Sequence, residues 1–478
     1  MRLDENFIMW TDSYKHSHFS QFPKGAVNAY IYGEARSHKV YDHTLFIGLR
    51  YIIAKYLTKE ITIDDIDDAE DLAKAHGVPF NRAGWIKIWG VYDGILPLTI
   101  KAVPEGTLVP NGNPFFTVEL TQDDEDLVWL PSWCEDLLMK VWYPCNVATR
   151  SYYVKKMLLE NAKLTEDVVT PEMVDFMFHN FGDRGASSVE SAGIGGMAHL
   201  MVFKGTDNFN SLNYIKHYYG DDTDIPAGFS IPASEHATTT SWGKDYEFDM
   251  VMNHLEVHKK YPLAAAVGDS YDIINFTNKV TSGDFLLKIE SDEYPTFVIR
   301  PDSDDPRNVI PEILNIIEAN NVSYTVNKKG YRLLNKYRII WGDGIDMRMM
   351  QDILSILHMR KYSILNQAFG SGGWLMQQHD RDTSGWAIKC SNITFSDGEE
   401  REVYKSPIGD ASKASKRGKV TLWHTSTTDS YFTGLIGENT TELTCMLEPV
   451  YVNGWVKRYS YADIRKRVND TLKKELNI

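Results

Sequence analysis

Seven short clusters rich in Gly, Asp, Ser, Arg and His punctuate the chain between Phe176 and Gly373: Phe181-Gly-Asp-Arg184, Lys204-Gly-Thr-Asp207, Ser230-Ile-Pro-Ala-Ser-Glu-His236, Gly268-Asp-Ser-Tyr-Asp272, Arg300-Pro-Asp-Ser303, Gly342-Asp-Gly344 and Gly370-Ser-Gly-Gly373. The last presents backbone N–H groups with no side chain in the way, so a phosphate can approach closely; the same residues also make a plain turn. Arg300, Arg381, Lys389 and the basic run Lys413–Lys419 are the groups a multiply charged phosphate ester requires, and the run reads equally as a solvated loop. Asp302 and Asp343 close the apolar runs VIRPDS and IIWGDG. Carboxylates there suit a ribose diol or a Mg2+ held on a diphosphate through water, or else they cap the helices that follow.

His236 stands where a helix should begin, so oriented N–H dipoles would stabilise negative charge on or beside its ring. Asp269 and Asp272 can orient that imidazole, and a purely structural histidine is the alternative. Phe181, Arg184 and Asp207 supply a ring to stack on, a guanidinium to lie beside and an acceptor for an exocyclic N–H, which together suit a planar aromatic ligand. Each also has an ordinary structural reading, as core, ion pair and helix cap.

The elements that must position these groups follow from the rhythm of the chain. An apolar run, a polar cluster and a helical pattern repeat in series, which is how a parallel barrel is built, with its chemistry where the strands end. The expectation is an α/β barrel over residues 166–385. Residues 1–165 and 386–478, both rich in strand patterns, should pack together as one discontinuous mixed or antiparallel sheet domain. Within them the pattern predicts an amphipathic helix over Leu45–Leu57, strands near Leu98–Val103 and Phe115–Leu120, and a long helix over Ser132–Ala162 bent at Pro144. Asn453-Gly454 marks a hairpin.

With 478 residues, 43% of them hydrophobic, the chain can bury a large core. A net charge of −15 argues against a general nucleic-acid or membrane-surface binder, so bound phosphate must meet a local basic pocket. The four cysteines show no Cys-x-x-Cys spacing, the N-terminus lacks the shape of a signal peptide and no run approaches the roughly 18 apolar residues of a span. A soluble cytoplasmic protein is expected.

Several words in the chain resemble the nicotinamide phosphoribosyltransferase family, of the type II phosphoribosyltransferases. They are Thr11-Asp-Ser-Tyr-Lys15, His179-Asn-Phe-Gly-Asp-Arg-Gly-Ala-Ser-Ser188, Ala192-Gly-Ile-Gly195, Phe203-Lys-Gly-Thr-Asp207, Pro232-Ala-Ser-Glu-His236, Trp242-Gly-Lys244, Asp269-Ser-Tyr-Asp272, Arg300-Pro-Asp-Ser303, Gly342-Asp-Gly344 and Phe369-Gly-Ser-Gly-Gly373. The resemblance implies an irregular α/β barrel with a flanking sheet domain, in a homodimer whose two active sites are shared. It implies the joining of nicotinamide to 5-phosphoribosyl 1-diphosphate, giving nicotinamide mononucleotide and diphosphate, with Mg2+ required and ATP hydrolysed through a phosphohistidine.

By the same resemblance, Phe181 and the partner subunit's Tyr14 sandwich the pyridine ring, with Asp12 beside it, and Arg184 and Asp207 meet the carboxamide. Asp302, Gly342 and Asp343 resemble the ribose and diphosphate contacts, and Arg300, Gly372 and Gly373 the 5′-phosphate site. Arg36, Arg381 and Lys389 resemble basic residues that reach phosphates across the dimer. His236 matches the phosphorylated histidine, and Asp272 its hydrogen-bond partner. Mg2+ should be held mainly by the diphosphate and water.

Asp207 distinguishes the two nearest bases, because a carboxylate repels nicotinate and accepts from nicotinamide; such a mismatch can cost on the order of 10⁴-fold. A nicotinate enzyme is the alternative, as is a catalytically silent nucleotide binder. The silent relative would have lost His236, Asp302, Asp343 or the phosphate glycines, all of which are present. Two positions depart from vertebrate relatives: Asp183 replaces an aromatic residue and Gly268 replaces a serine.

Overall fold

The computed structural model describes residues 6–37, 39–220, 225–409, 414–438 and 442–478. The chain forms two compact units, Met1–Thr149 with His379–Ile464, and Arg150–Gln378 with Arg465–Ile478.

The second unit is built on six parallel strands in the order Gly205–Thr206, Phe178–Asn180, Gln367–Ser371, Tyr337–Trp341, Thr296–Arg300 and Leu263–Val267. The edges of this sheet are joined by the stretch from Phe229 to Ser234. Phe229 bridges Gly205 and Ala233 bridges Ala265, both in parallel sense. Thr206 N donates to Phe229 O at 3.1 Å on one side, and Ser234 N to Ala265 O at 3.0 Å on the other. Pro232 lies within this seventh stave and has no N–H to give, so the stave cannot be a regular strand. The result is the irregular parallel barrel the sequence implied. Its lumen packs Ala265, Val298 and Ile340 with Ile231, Leu263, Ala368 and Phe181, while Ile339 and Trp341 on the opposite face are fully buried, as parallel strands covered by helices should be.

Helices follow the strands and take their caps from the loops: Ser188 for Val189–Leu200, Asn208 for Phe209–Tyr219, Asp272 for Ile273–Val280, Asp305 for Pro306–Ala319 and Asp346 for Met347–Met359. Asp207, Asp302 and Asp343 therefore do not cap these helices, which removes the structural alternative for all three.

The first unit centres on an antiparallel seven-stranded sheet in the order Glu400–Glu402, Trp386–Phe395, Ala26–Ala35, Pro114–Leu120, Leu98–Ala102, Glu448–Val452 and Trp455–Val456. Ala26–Ala35 is buried along all ten residues. The predicted hairpin is present: Val452 pairs with Trp455, and Asn453 and Gly454 take φ of 45° and 85°, the two positive angles a tight reversal of this hand demands.

Three expectations change. Leu45 ends a strand, His43–Leu45, and the helix begins only at Leu49, after Gly48 at φ 103°, running on as a π-helical turn over Ile53–Leu57. The long helix is three pieces, Leu130–Trp133, Glu135–Met139 and Trp142–Thr165. Pro144 causes no bend, because it sits in the first turn of the third piece, where a missing N–H forfeits no hydrogen bond. Finally, residues 465–478 belong with the barrel unit and not with the flanking domain. The Arg465 guanidinium donates to the carbonyls of Leu200, Phe203 and Ala227, and Asn469 accepts from Lys155 at 3.0 Å. Lys155 is fully buried and pairs with Asp175 at 2.7 Å, a charge that only such a closed set of acceptors makes tolerable.

One buried imidazole braces the Gly205–Thr206 strand. His199 is wholly inaccessible; its Nδ1 lies 2.9 Å from Ser151 Oγ and its Nε2 3.2 Å from Gly205 O. A carbonyl only accepts, so Nε2 carries the hydrogen. Burial pushes the pKa down from 6.5 to about 3. Between those values the unfolded chain binds a proton here that the folded chain refuses, so this residue's contribution is intact above pH 6.5 and is lost as pH falls. Urea unfolding between pH 6.5 and 5.5 should show a His199→Gln variant less stable throughout but with a slope shallower by up to about 1.4 kcal/mol per pH unit; an unchanged slope would mean the imidazole titrates normally.

Candidate active site

Because every stave runs the same way, the loops after them emerge on one rim of the barrel. Phe181 follows Phe178–Asn180, Asp207 follows Gly205–Thr206, His236 follows the irregular stave, and Asp269 follows Leu263–Val267. Asp302, Gly342 and Gly372 follow the remaining three strands.

Phe181 sits over glycines. A Cβ on Gly370 would fall 2.0 Å from its ring, and one on Gly342 would fall 3.2 Å from the ring and 3.3 Å from Asp302 Oδ1. Only hydrogen at Gly370 lets the ring lie down on the strand ends, and Gly342 leaves it close but unforced. The Arg300 guanidinium stands 5.6 Å from the ring centroid and grips Asp302, with Nη2 to Oδ2 at 2.9 Å and Nε to Oδ1 at 3.3 Å. Burial raises the Asp302 carboxyl above the usual range, Arg300 pulls it down, and Asp269 and His236 act on it with opposite signs. Arg300, Asp302, Asp269 and His236 thus form one electrostatic group beside Phe181.

His236 is the first residue of a short helix, His236–Thr240, and about half exposed; its Nε2 lies 2.9 Å from Asp269 Oδ1. The carboxylate can only accept, so Nε2 holds the hydrogen and Nδ1 is the basic nitrogen. Asp272, expected as the partner, is not: its Oδ1 accepts from Ile274 N and Asn275 N at 3.0 and 2.9 Å, because capping the next helix claims it first.

Asp207 is tied to the ring's own strand, its N–H donating to Asn180 O at 3.0 Å, while Asn180 Oδ1 accepts from Gly182 N at 2.8 Å. Ser230 Oγ donates to Asp207 Oδ1. Asp207 and Ser230 face an open cavity of about 330 Å³ shared with Phe209, Leu212, Phe229 and Ile231. Arg184 and Asp343 are exposed, as are Asp183 and Gly373. Gly268 is explained by packing: a Cβ there would lie 2.4 Å from the ring of the fully buried Phe276, which leaves no room for a serine.

The remaining predicted residues lie in the first unit. Arg36, Arg381 and Lys389 line one cavity of about 220 Å³ with Lys405, Glu135, Met139, Trp386 and Ala387. Strand register brings them together, since Tyr32 pairs with Lys389 and Ala35 with Trp386. Burial lowers the Lys389 pKa, with Glu135 opposing. Tyr14 is 57% exposed, and Asp12 is exposed beside it. The basic run does not join this pocket. Lys416 pairs with buried Glu34, Arg417 with Glu402 and Lys419 with Glu400; Lys413 lies outside the described residues.

Asn180, Ser230 as a partner of Asp207, Gly370 as the floor beneath Phe181, Glu135 and Lys405 were not singled out from sequence; Asp269 was named beside Asp272 as an orienter of His236, and the structure selects Asp269. Asp269 and Ser230 stood inside recognised words. Glu135 and Lys405 carried no local signal, since only folding brings them to the pocket.

Two family profiles match the chain: the nicotinate phosphoribosyltransferase (NAPRTase) family over residues 176–451, and the nicotinamide phosphoribosyltransferase N-terminal domain over residues 6–100. A protein of Xanthomonas campestris pv. campestris named nicotinamide phosphoribosyltransferase is 42% identical over 440 residues, 92% of each chain. One of the same name from Acinetobacter baylyi is 27% identical over 85% of this chain and 86% of its own length. The solved nicotinate-nucleotide pyrophosphorylase from Pyrococcus furiosus shares the fold, with a TM-score of 0.63 at 14% identity, covering 100% of this chain and 98% of that one.

The glycine floor gives a direct test. Gly370→Ala must displace the Phe181 ring, and overpacking of about 1–3 kcal/mol should weaken binding of a planar aromatic amide such as nicotinamide by roughly tenfold. Titration calorimetry on the variant reads this; unchanged affinity would mean the ring is not a ligand platform.

Proposed function

We infer that this chain, which belongs to the nicotinamide phosphoribosyltransferase family, transfers the phosphoribosyl group of 5-phosphoribosyl 1-diphosphate to nicotinamide, releasing nicotinamide mononucleotide, a precursor of NAD, and diphosphate. The observation that carries the choice of base is Asp207, whose carboxylate stands one strand from Phe181 with one oxygen already held by Ser230. An exocyclic NH2 gives that carboxylate a donor, whereas a second carboxylate gives it a repulsion.

The ring nitrogen of nicotinamide carries no proton, so the reaction needs no general base. The sugar becomes cation-like as the diphosphate departs, and the protein's work is to align the partners and absorb charge. Phe181 holds one face of the ring and, on the dimer reading, the partner subunit's Tyr14 the other. Asp302 and Asp343 are suited to the ribose and diphosphate. Arg300, with the backbone of Gly372 and Gly373, is suited to the 5′-phosphate. Arg300 enters already paired with Asp302, so a bound phosphate must share it. Arg36, Arg381 and Lys389 form the basic pocket for the departing charge.

Mg2+ neutralises and orients the diphosphate when bound. Such an ion would be carried by the diphosphate and water, and Asp302 and Asp343 are the carboxylates that would meet its water shell. For ATP coupling, the basic Nδ1 of His236 is the atom that would receive the phosphoryl group, with Asp269 holding Nε2–H and stabilising the ring. The homodimer is part of this reading through the family resemblance, in which the partner subunit completes the site; no described helix is long and apolar enough to cross a membrane.

Incubation with 5-phosphoribosyl 1-diphosphate and either nicotinamide or nicotinate, with and without ATP, tests the whole reading; absence of the mononucleotide would refute it. Asp207→Ala should collapse the preference for nicotinamide, a ratio on the order of 10⁴ in kcat/KM, toward parity; a variant that rejects nicotinate as firmly as the parent would remove Asp207 from this role. His236→Ala should abolish stimulation by ATP and leave slow synthesis, and retained stimulation would move the phosphoryl acceptor elsewhere.

A further inference from the structure

Two neighbouring carboxylates, Glu135 and Asp136, hold the segment that carries Tyr14. Asp136 Oδ2 accepts from Thr11 Oγ1 at 2.8 Å and from Asp12 N at 2.7 Å. Glu135 Oε2 accepts from Lys15 Nζ at 2.8 Å, and Lys15 also donates to Ser132 O at 2.9 Å. Lys15 is 2% exposed, while Tyr14 beside it is 57% exposed. The segment is thus nailed down by a buried ammonium one residue away from an aromatic ring turned outward. A buried cation with a single carboxylate partner gives a stiff registration, because releasing it would strand both charges.

Glu135 has a second neighbourhood. Among the described residues it is the one acidic side chain lining the basic cavity of Arg36, Arg381, Lys389 and Lys405. One carboxylate therefore serves as counter-ion to the anchor of the Tyr14 segment and as the negative charge within a pocket of four cations. These two tasks oppose each other for a ligand. Glu135 weakens the pocket's hold on a polyanion by Coulomb repulsion, and strengthens whatever the Tyr14 ring holds by fixing its segment.

We propose that Glu135 is a positioning residue that trades diphosphate affinity for base affinity, keeping Tyr14 in place at the cost of a weaker grip on the leaving group. The proposal rests on the reading above in which Tyr14 is one plate of the base site. It gives the pocket a functional reason for tolerating an acid: a diphosphate held too firmly by four cations would leave slowly, and product release sets the turnover of many enzymes.

The signature is a pair of shifts of opposite sign. In Glu135→Gln, the Kd of inorganic diphosphate, measured by titration calorimetry on the full chain, should fall by about threefold or more as the repulsion is removed. The KM for nicotinamide should rise by about tenfold as the Lys15 anchor loosens. Since a lone buried Lys15 can compromise folding, a Lys15→Met/Glu135→Met double variant, which replaces the pair by apolar side chains, carries the same two measurements. General destabilisation would weaken both ligands, so shifts in the same direction, or no shift in either, overturn the proposal. A parent protein that makes no mononucleotide would instead refute the functional reading; an active parent with unchanged variants refutes only this inference.

Discussion

The barrel depends on a stretch of chain that cannot be a strand. Phe229 to Ser234 spans the gap between Gly205–Thr206 and Leu263–Val267 with a few backbone hydrogen bonds on each side, and Pro232 prevents it from doing more. Without that closure the six parallel strands are an open sheet with two edges, and the rim has no continuous circumference on which loops can converge. The stave also delivers two functional groups directly: Ser230 to the Asp207 carboxylate and His236 to Asp269. Irregularity and function coincide here for a physical reason. A stave with only partial ladder pairing leaves its ends free to aim side chains across the mouth.

Charge on this rim is held in pairs before any substrate arrives. Arg300 leans on Asp302, His236 on Asp269, and in the other unit Lys15 on Glu135. Each cation is thereby kept oriented, and each carboxylate is kept from isolation in a half-buried setting. The basic run after Lys413 shows the opposite fate: Lys416, Arg417 and Lys419 are consumed by Glu34, Glu402 and Glu400 and remain part of the scaffold.

The strand-loop-helix rhythm was legible because most of the apolar runs are buried staves ended by a polar cluster; Gly205–Thr206 and the stretch Phe229–Ser234 instead lie within their clusters. The hairpin at Asn453-Gly454 was legible because its two positive φ angles suit few other residues. Less visible was anything decided by competition between neighbours. Asp269 and Asp272 are three residues apart and chemically identical, and only the helix start decides that one caps while the other faces His236. Pro144 looked like a bend, yet its effect depends on where the helix begins, which the hydrophobic pattern does not reveal. Glu135, on a short helix, and Lys405, in the loop after Glu400–Glu402, are separated by the length of the barrel insertion and share a pocket only once the chain has folded.

The interleaving of the two units has a consequence for how the protein is made. Arg465 and Asn469 supply contacts to Leu200, Phe203, Ala227 and Lys155, yet the ribosome reaches them only after it has delivered all of residues 379–464, which belong to the other unit. Through that interval the emerging barrel carries Lys155 without its full complement of acceptors and an uncovered groove where the last helix will dock. Vectorial synthesis therefore obliges the barrel to wait for its last helix, so that this unit is finished only once the whole of its neighbour's sequence has been made.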